Sequence, residues 1–108
     1  MTRFADVVQR LSSVIESRRG GDPATSWTAK LIVDRPLAAK KLAEEAIETA
    51  LAAALDDRAG LVAESADLIY HWLALLAGAG VSLEEIAEAL EAREGRSGVA
   101  EKASRGAT

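Results

Sequence analysis

Acidic residues at helical spacing are the most chemically suggestive feature of this 108-residue sequence. They occur in two segments, KKLAEEAIE from Lys40 to Glu48 and ESADLIYH from Glu64 to His71. At about 100° per residue, the charged residues of the first segment fall within an arc of about 140°. In the second segment, Glu64, Asp67 and His71 fall within about 60°. Each segment therefore presents its charged residues on one face of a helix.

These carboxylates have two interpretations. Lys40 lies four residues before Glu44, and Lys41 lies four residues before Glu45, which is typical of a solvated face with lysine–glutamate pairs. The second segment is otherwise apolar, and unpaired ionised carboxylates on a buried helix are costly. Carboxylates from ExxE and ExxD on adjacent antiparallel helices can instead converge on a hard cation. Mg²⁺ suits them, because it takes oxygen ligands and bridges to substrate phosphates.

The elements that must position these residues are predicted to be helices throughout. Gly78 and Gly80 are predicted to end the helix that carries ESAD, and Ser82 with Glu85 is typical of a capping box that begins the last helix. The sequence shows no repeat and no convincing pair of strands, so the predicted fold class is all-α. A short link makes the two long helices antiparallel neighbours in a bundle. The predicted helices span approximately 4–18, 27–33, 36–55, 59–77 and 83–94.

Composition and charge exclude several classes of protein. The net charge of −4 argues against a general nucleic-acid binder, and the absence of cysteine excludes disulfides and thiolate zinc sites. The N-terminus does not resemble a signal peptide, and the longest nearly uncharged run, Leu68 to Ala79, is shorter than the ~20 residues needed to span a bilayer. We therefore expect a cytoplasmic protein with neither a nucleic-acid nor a membrane partner.

Alanine accounts for much of the 49% hydrophobic content, whereas only 4% of residues are aromatic. Alanine contributes helix propensity more than buried area, which predicts closely packed helices whose core is completed in a homodimer. Many of the alanines lie in the helix that carries EEAIE, where small side chains would let the neighbouring helices approach. These are Ala38, Ala39, Ala43, Ala46, Ala50, Ala52, Ala53 and Ala54.

The chain is predicted to divide into an all-α domain over residues 1–95 and a polar C-terminal tail over 96–108. The body of the chain is acidic, whereas the tail carries a small excess of basic residues. This balance suits a metal site whose anionic ligand is partly held by the tail. The composition of the tail, taken alone, is typical of disorder.

EEAIE, then 15 residues, then ESAD resembles the EExxE…ExxD signature of the MazG-like superfamily of all-α nucleoside-triphosphate pyrophosphatases. More narrowly, four segments resemble the phosphoribosyl-ATP pyrophosphatase family of histidine biosynthesis, over about residues 11–105. No cyclohydrolase segment precedes them, so the resemblance is to the stand-alone form. Several family members carry glycine where this chain has Ala43. The four segments are SWTAKL at 26–31, KKLAEEAIETALAA at 40–53, ESADLIYHWLALLAGAGVSLEEI at 64–86 and EKASR at 101–105.

This resemblance implies a MazG-like four-helix bundle that hydrolyses phosphoribosyl-ATP to phosphoribosyl-AMP and pyrophosphate. Cleavage between the α- and β-phosphates requires charge neutralisation and an activated water, and Mg²⁺ can supply both. The adjacent acid Glu44 is a candidate general base or orienting group. The Mg²⁺ ligands implied by the resemblance are Glu45, Glu48, Glu64 and Asp67.

Six residues are predicted to contact the substrate, and each has a plainer alternative. Lys41 can bind a phosphate or pair with Glu45, and His71 can contact the substrate or be a hydrogen-bonded core residue. Trp27, within SWTAKL, is interpreted as a core residue. The match to KASR makes a phosphate-closing role for the tail an alternative of equal weight to disorder. The six residues are Thr28, Lys30, Lys41, His71, Lys102 and Arg105.

Two other functions compete with this prediction. The first alternative keeps the fold and the metal but acts on free or damaged nucleoside triphosphates, as a general MazG-like pyrophosphatase. SWTAKL and KASR favour phosphoribosyl-ATP, because a general nucleotide hydrolase has no evident need of them. The second alternative is a non-catalytic helical adaptor that dimerises through its alanine-rich faces.

Overall fold

A computed structural model describes residues 2–95, and over this range the chain forms five α-helices and no strand. This confirms the predicted all-α class. The predicted tail over 96–108 lies outside the described residues. The helices are α1 (Arg3–Ser17), α2 (Trp27–Val33), α3 (Arg35–Ala54), α4 (Arg58–Ala79) and α5 (Leu83–Glu91).

Each helix begins after a side chain that accepts a hydrogen bond from the first turn, which satisfies a backbone N–H that has no partner within the helix. The predicted capping box of α5 is confirmed. The Ser82 hydroxyl accepts from the Glu85 N–H at 3.1 Å, and the Glu85 carboxylate accepts from the Ser82 N–H at 2.8 Å. The five capping residues, from α1 to α5, are Thr2, Ser26, Asp34, Asp57 and Ser82.

A tight reversal between α3 and α4 determines how the two acidic segments face each other. Asp56 adopts a left-handed conformation with φ of 56°, which aspartate tolerates better than most residues. The Asp57 N–H donates to the Ala52 carbonyl at 2.9 Å, which closes the end of α3. Because only residues 55–57 separate the helices, α3 and α4 run antiparallel and pack against each other.

The apolar core lies where α1 and α2 pack against the C-terminal half of α4. Gly78 makes this packing close, because a Cβ atom there would lie 2.7 Å from the Ile32 carbonyl oxygen. The Arg19 and Arg35 guanidinium groups donate to the carbonyls of Ala77 and Gly78 at 2.6 and 3.0 Å, which ties both sides of the bundle to the end of α4. The buried core residues are Ile15, Leu31, Ile32, Ala38, Leu73 and Ala74.

Some predicted helix ends are wrong by a few residues. Helix α4 continues through Gly78, whose role is close packing, and ends at Gly80, whose φ of 72° suits a left-handed cap. Helix α5 ends at Glu91, three residues before the predicted end at Glu94. None of the helices within residues 2–95 is long and apolar enough to cross a membrane.

The alanines of α3 do not all serve the packing that the sequence predicts. Ala38 and Ala52 are buried, at 1% and 9% exposure, whereas the other six alanines predicted to permit close approach are exposed in the single chain. The approach of α3 to α4 therefore depends on a narrow stripe of small residues, and most of the alanine-rich surface of α3 faces away from the core.

Candidate metal and active site

Three carboxylates converge between the two long helices. Glu45 and Glu48 lie one turn apart on α3, and Glu64 lies on α4. One carboxylate oxygen from each of the three lies within 4.8 Å of the other two. The predicted convergence of ExxE with the facing helix is therefore present, and it follows from helical spacing combined with the three-residue reversal.

Several oxygens in this region are buried without a hydrogen-bond donor. Glu44 Oε1, Glu45 Oε2 and Glu64 Oε2 have no hydrogen-bond partner among the described residues. A buried acceptor left in this state is unfavourable, because it has lost its water without gaining a donor. A hard divalent cation prefers such oxygen ligands, so the donor set of Glu45, Glu48 and Glu64 fits Mg²⁺.

The crowding of carboxylates changes their affinity for protons. The Glu64 carboxylate beside Glu48 raises the pKa of Glu48, because two acids can share a hydrogen bond only when one of them holds a proton. Glu45 raises the pKa of Glu64 in the same way, and burial and the charge of Asp67 act in the same direction. Without a cation, the cluster therefore resists full ionisation.

These raised pKa values predict a loss of stability with rising pH in the metal-free protein. The folded state holds protons on Glu48 and Glu64 that the unfolded state has released above the ordinary pKa of 4.5, so the free energy of unfolding falls as pH rises through the window above 4.5. Hydrogen bonds from Arg19 and Ser82 lower the pKa values of Glu16 and Glu85, respectively. These two groups therefore make the free energy of unfolding rise with pH in the range below 4.5.

Urea unfolding with a chelator, from pH 4.5 to 8, measures this effect. The free energy of unfolding of wild type should decline as pH rises from 4.5 to 8. That of Glu48→Gln should decline less, because this variant lacks one of the competing carboxylates. A constant difference between the two proteins at every pH would contradict the electrostatic interpretation of the cluster.

Asp67, the fourth predicted metal ligand, lies one turn beyond Glu64 on α4 but does not belong to the three-carboxylate group. Its side chain is exposed in the single chain, so the expectation that it is buried on an apolar helix is wrong. Its charge nevertheless contributes to the raised pKa of Glu64. Its role as a ligand stays a prediction.

Lys41 makes contacts that differ from the predicted ones. Its Nζ lies 3.7 Å from Glu44 Oε1, so its ion pair is with Glu44 and not with Glu45. Because 3.7 Å is too long for a hydrogen bond, the Glu44 oxygen keeps free acceptor capacity. The ammonium also lies over the Trp27 ring, 5.9 Å from its centroid. Trp27 is 44% exposed, so its interpretation as a core residue is wrong.

Three of the remaining predicted substrate contacts lie on α2 and α4. The Thr28 hydroxyl shares a hydrogen bond with the Tyr70 hydroxyl, with 2.5 Å between the oxygens. Tyr70 is not among the site residues that the sequence predicts. His71 Nδ1 lies 2.8 Å from the Asp67 carbonyl oxygen, so the ring is hydrogen-bonded, but the side chain is only half-buried and its contact with the substrate stays a prediction. Lys30 is exposed on α2. Lys102 and Arg105 lie outside the described residues.

The fold and the site together define a class of all-α proteins in which two antiparallel helices bring several carboxylates to one point. Comparison with known proteins gives the particular family. The family model described as Phosphoribosyl-ATP pyrophosphohydrolase matches residues 8–94. The chain belongs to this family.

Relatives named phosphoribosyl-ATP pyrophosphatase match nearly the whole chain. The protein from Caulobacter vibrioides (strain NA1000 / CB15N) is 64% identical over 103 residues, which are 95% of this chain and 96% of the relative. The protein from Cereibacter sphaeroides (strain ATCC 17029 / ATH 2.4.9) is 50% identical over 101 residues, 93% of this chain and 98% of the relative. That from Parvibaculum lavamentivorans is 49% identical over 98% of both chains.

Proposed function

We propose that this protein hydrolyses phosphoribosyl-ATP to phosphoribosyl-AMP and pyrophosphate, the second step of histidine biosynthesis. The observation that carries this proposal is the convergence of Glu45, Glu48 and Glu64 in a chain of the phosphoribosyl-ATP pyrophosphohydrolase family. Water that attacks between the α- and β-phosphates must approach phosphate groups that carry several negative charges. Such chemistry requires concentrated positive charge at the reacting phosphates.

Mg²⁺ is the proposed source of that charge, held by Glu45, Glu48 and Glu64, with Asp67 as a fourth ligand. The buried oxygens of Glu45 and Glu64 that lack a hydrogen-bond partner in the described part of the chain support this assignment. Bound there, the ion would neutralise phosphate oxygens and lower the pKa of a water ligand.

Glu44 and Lys41 are proposed to act beside the metal ligands. Glu44 is the proposed general base, because its buried Oε1 has no hydrogen-bond partner within residues 2–95 and can accept a proton from the attacking water. Lys41 is the proposed phosphate contact, and its ion pair with Glu44 holds it at this end of the site.

The remaining proposed substrate contacts come from α2, from α4 and from the C-terminal part of the sequence. Thr28 and Lys30 lie on α2, which packs against both α3 and α4. His71 lies on α4 one turn beyond Asp67, where its ring is oriented by the Asp67 carbonyl. Lys102 and Arg105 are proposed from the resemblance alone, as basic groups that close over the phosphates.

A homodimer is the proposed assembly, and a cytoplasmic location is proposed with it. Ile47 and Leu51 on α3 and Leu55, which caps its C-terminal end, follow one another at four-residue intervals, and all are more than half exposed in the single chain. Val62 adds an exposed apolar side chain on α4. An exposed apolar stripe of this kind is typical of a surface that a partner covers.

Pyrophosphate release from phosphoribosyl-ATP tests the proposed function, with ATP, dUTP and other nucleoside triphosphates as the comparison panel. We expect turnover of phosphoribosyl-ATP that requires magnesium and is far slower for the panel. Equal rates across the panel would instead support a general nucleoside-triphosphate pyrophosphatase. No turnover of any substrate with magnesium present would contradict the proposal.

A further inference from the structure

Trp27 occupies a rigid position at the start of α2. Its neighbour Thr28 is hydrogen-bonded to Tyr70 on α4, and Ala29 and Leu31 are buried at 1% and 0% exposure. The preceding residue caps the helix through a hydrogen bond from the Ala29 N–H to the Ser26 hydroxyl at 3.1 Å. The backbone that carries the Trp27 ring is therefore fixed on three sides, although the ring itself is not packed into the core.

The ring of Trp27 remains accessible, as does Val33 at the other end of α2, whereas the two large apolar side chains between them are buried. It is 44% exposed, whereas Leu31 and Ile32 on the same helix are 0% and 7% exposed. The second tryptophan, Trp72, packs against the core. An exposed indole on a rigid backbone offers a large flat surface, and a ligand that contacts it costs little conformational entropy of the protein. This arrangement is typical of a ligand-contacting aromatic residue.

Lys41 connects this ring to the acidic site. Its ammonium lies over the indole at 5.9 Å from the centroid, which is within the range of a cation–π contact. The same Nζ lies 3.7 Å from Glu44 Oε1, next to the metal-ligand candidate Glu45. Trp27, Lys41 and Glu44 thus form a continuous series of contacts from an exposed aromatic surface to the carboxylate cluster.

We propose that Trp27 and Lys41 form a subsite that selects the purine-bearing end of the substrate, with the indole stacked on the base and the ammonium bound to an adjacent phosphate. This inference rests on the proposed function for the identity of the substrate. Stacking suits it because every purine presents a π-face, and the rigid backbone holds the indole ready before binding. Trp27 does not reach the reacting phosphorus in this arrangement, so its effect falls on substrate binding.

The test compares Trp27→Leu, which removes the aromatic ring, with Trp27→Tyr, which retains one. We expect Trp27→Leu to raise KM for phosphoribosyl-ATP about five- to 100-fold, from the usual contribution of a stacked base, with kcat changed less than about threefold. Trp27→Tyr should stay within about threefold of wild type. The matched control is Phe4→Leu, since Phe4 is a 65% exposed aromatic residue on α1, and it should leave KM unchanged.

Inhibition by ligands with and without a base separates recognition from structural damage. AMP should inhibit Trp27→Leu at least about fivefold more weakly than wild type, whereas pyrophosphate, which carries no base, should inhibit both equally. Equal weakening for both ligands, or an unchanged KM in Trp27→Leu, would overturn the proposal.

Intrinsic fluorescence gives a readout that does not depend on catalysis. The chain has two tryptophans, so quenching by AMP that is present in wild type and lost in Trp27→Leu reports contact at Trp27. A wild-type protein that releases no pyrophosphate would contradict the proposed function, and the fluorescence titration would still decide this inference. Absence of quenching by AMP in wild type would overturn the subsite whatever the activity.

Discussion

Glu48→Gln is expected to lower kcat/KM for pyrophosphate release from phosphoribosyl-ATP by at least about a hundredfold. Glutamine has nearly the same size and shape, but it brings a neutral amide to the place where three carboxylate oxygens now lie within 4.8 Å of one another. A hard cation loses one anionic ligand, and the phosphates lose the positive charge that the cation would hold there. Steady-state kinetics at saturating magnesium measures the effect.

Glu88→Gln on α5 is the matched control, because it makes the same chemical change at an exposed position outside the carboxylate group. It should retain wild-type kcat/KM. Circular dichroism should show equal helix content in both variants. The metal-free Glu48→Gln protein should be at least as stable as wild type at neutral pH, since it removes the shared hydrogen bond and the charge repulsion with Glu64 that together raise the pKa of Glu48. Full activity in a folded Glu48→Gln protein would remove Glu48 from the site.

Leu31→Ala is expected to lower the free energy of unfolding by about 2–5 kcal/mol. Leu31 is fully buried, and it belongs to the core cluster in which α1, α2 and α4 meet. A domain of this size has a total stability of about 5–15 kcal/mol, so the loss is a large fraction of the whole. Urea denaturation followed by circular dichroism measures it.

The control for Leu31→Ala is Leu90→Ala on α5, where the same side chain is 59% exposed. Its effect should stay within about 0.5 kcal/mol, as is usual for surface positions. A loss below about 1 kcal/mol for Leu31→Ala, or equal losses at the two positions, would show that the core does not depend on Leu31 as the burial indicates.

The helices and the convergence of the acids could be predicted because both depend on local spacing. The capping box at Ser82 and Glu85 needs only two side chains three residues apart, and the structure contains it. Glu45, Glu48 and Glu64 meet because a helical period and a three-residue reversal leave few other arrangements. Helix ends were less predictable, since Gly78 is needed for close packing against Ile32 and not for termination.

The surroundings of the carboxylates could not be predicted in the same way, because they depend on contacts between distant segments. The Thr28–Tyr70 hydrogen bond joins residues that lie 42 positions apart. The contact between Lys41 and the Trp27 ring depends on how α2 and α3 are arranged, and helical spacing alone did not distinguish Glu44 from Glu45 as the partner of Lys41.

The alanines of α3 show a further limit of composition. Their number predicts that the neighbouring helices approach closely, but of the eight only Ala38 and Ala52 are buried in the single chain. Small residues permit a close approach without specifying which face of the helix is approached. Ile47 and Leu51 on the same helix belong to a second apolar surface, which is exposed in the single chain.

Calorimetric titration of magnesium into the metal-free protein tests the central claim most directly, because it measures cation binding at the carboxylate cluster without any assumption about the substrate. We predict a binding isotherm for wild type and for Glu88→Gln that is lost or weakened at least about tenfold in both Glu48→Gln and Glu64→Gln. Magnesium binding of equal strength in all four proteins, or no binding to wild type even with pyrophosphate present, would contradict the assignment of Glu45, Glu48 and Glu64 as a metal site.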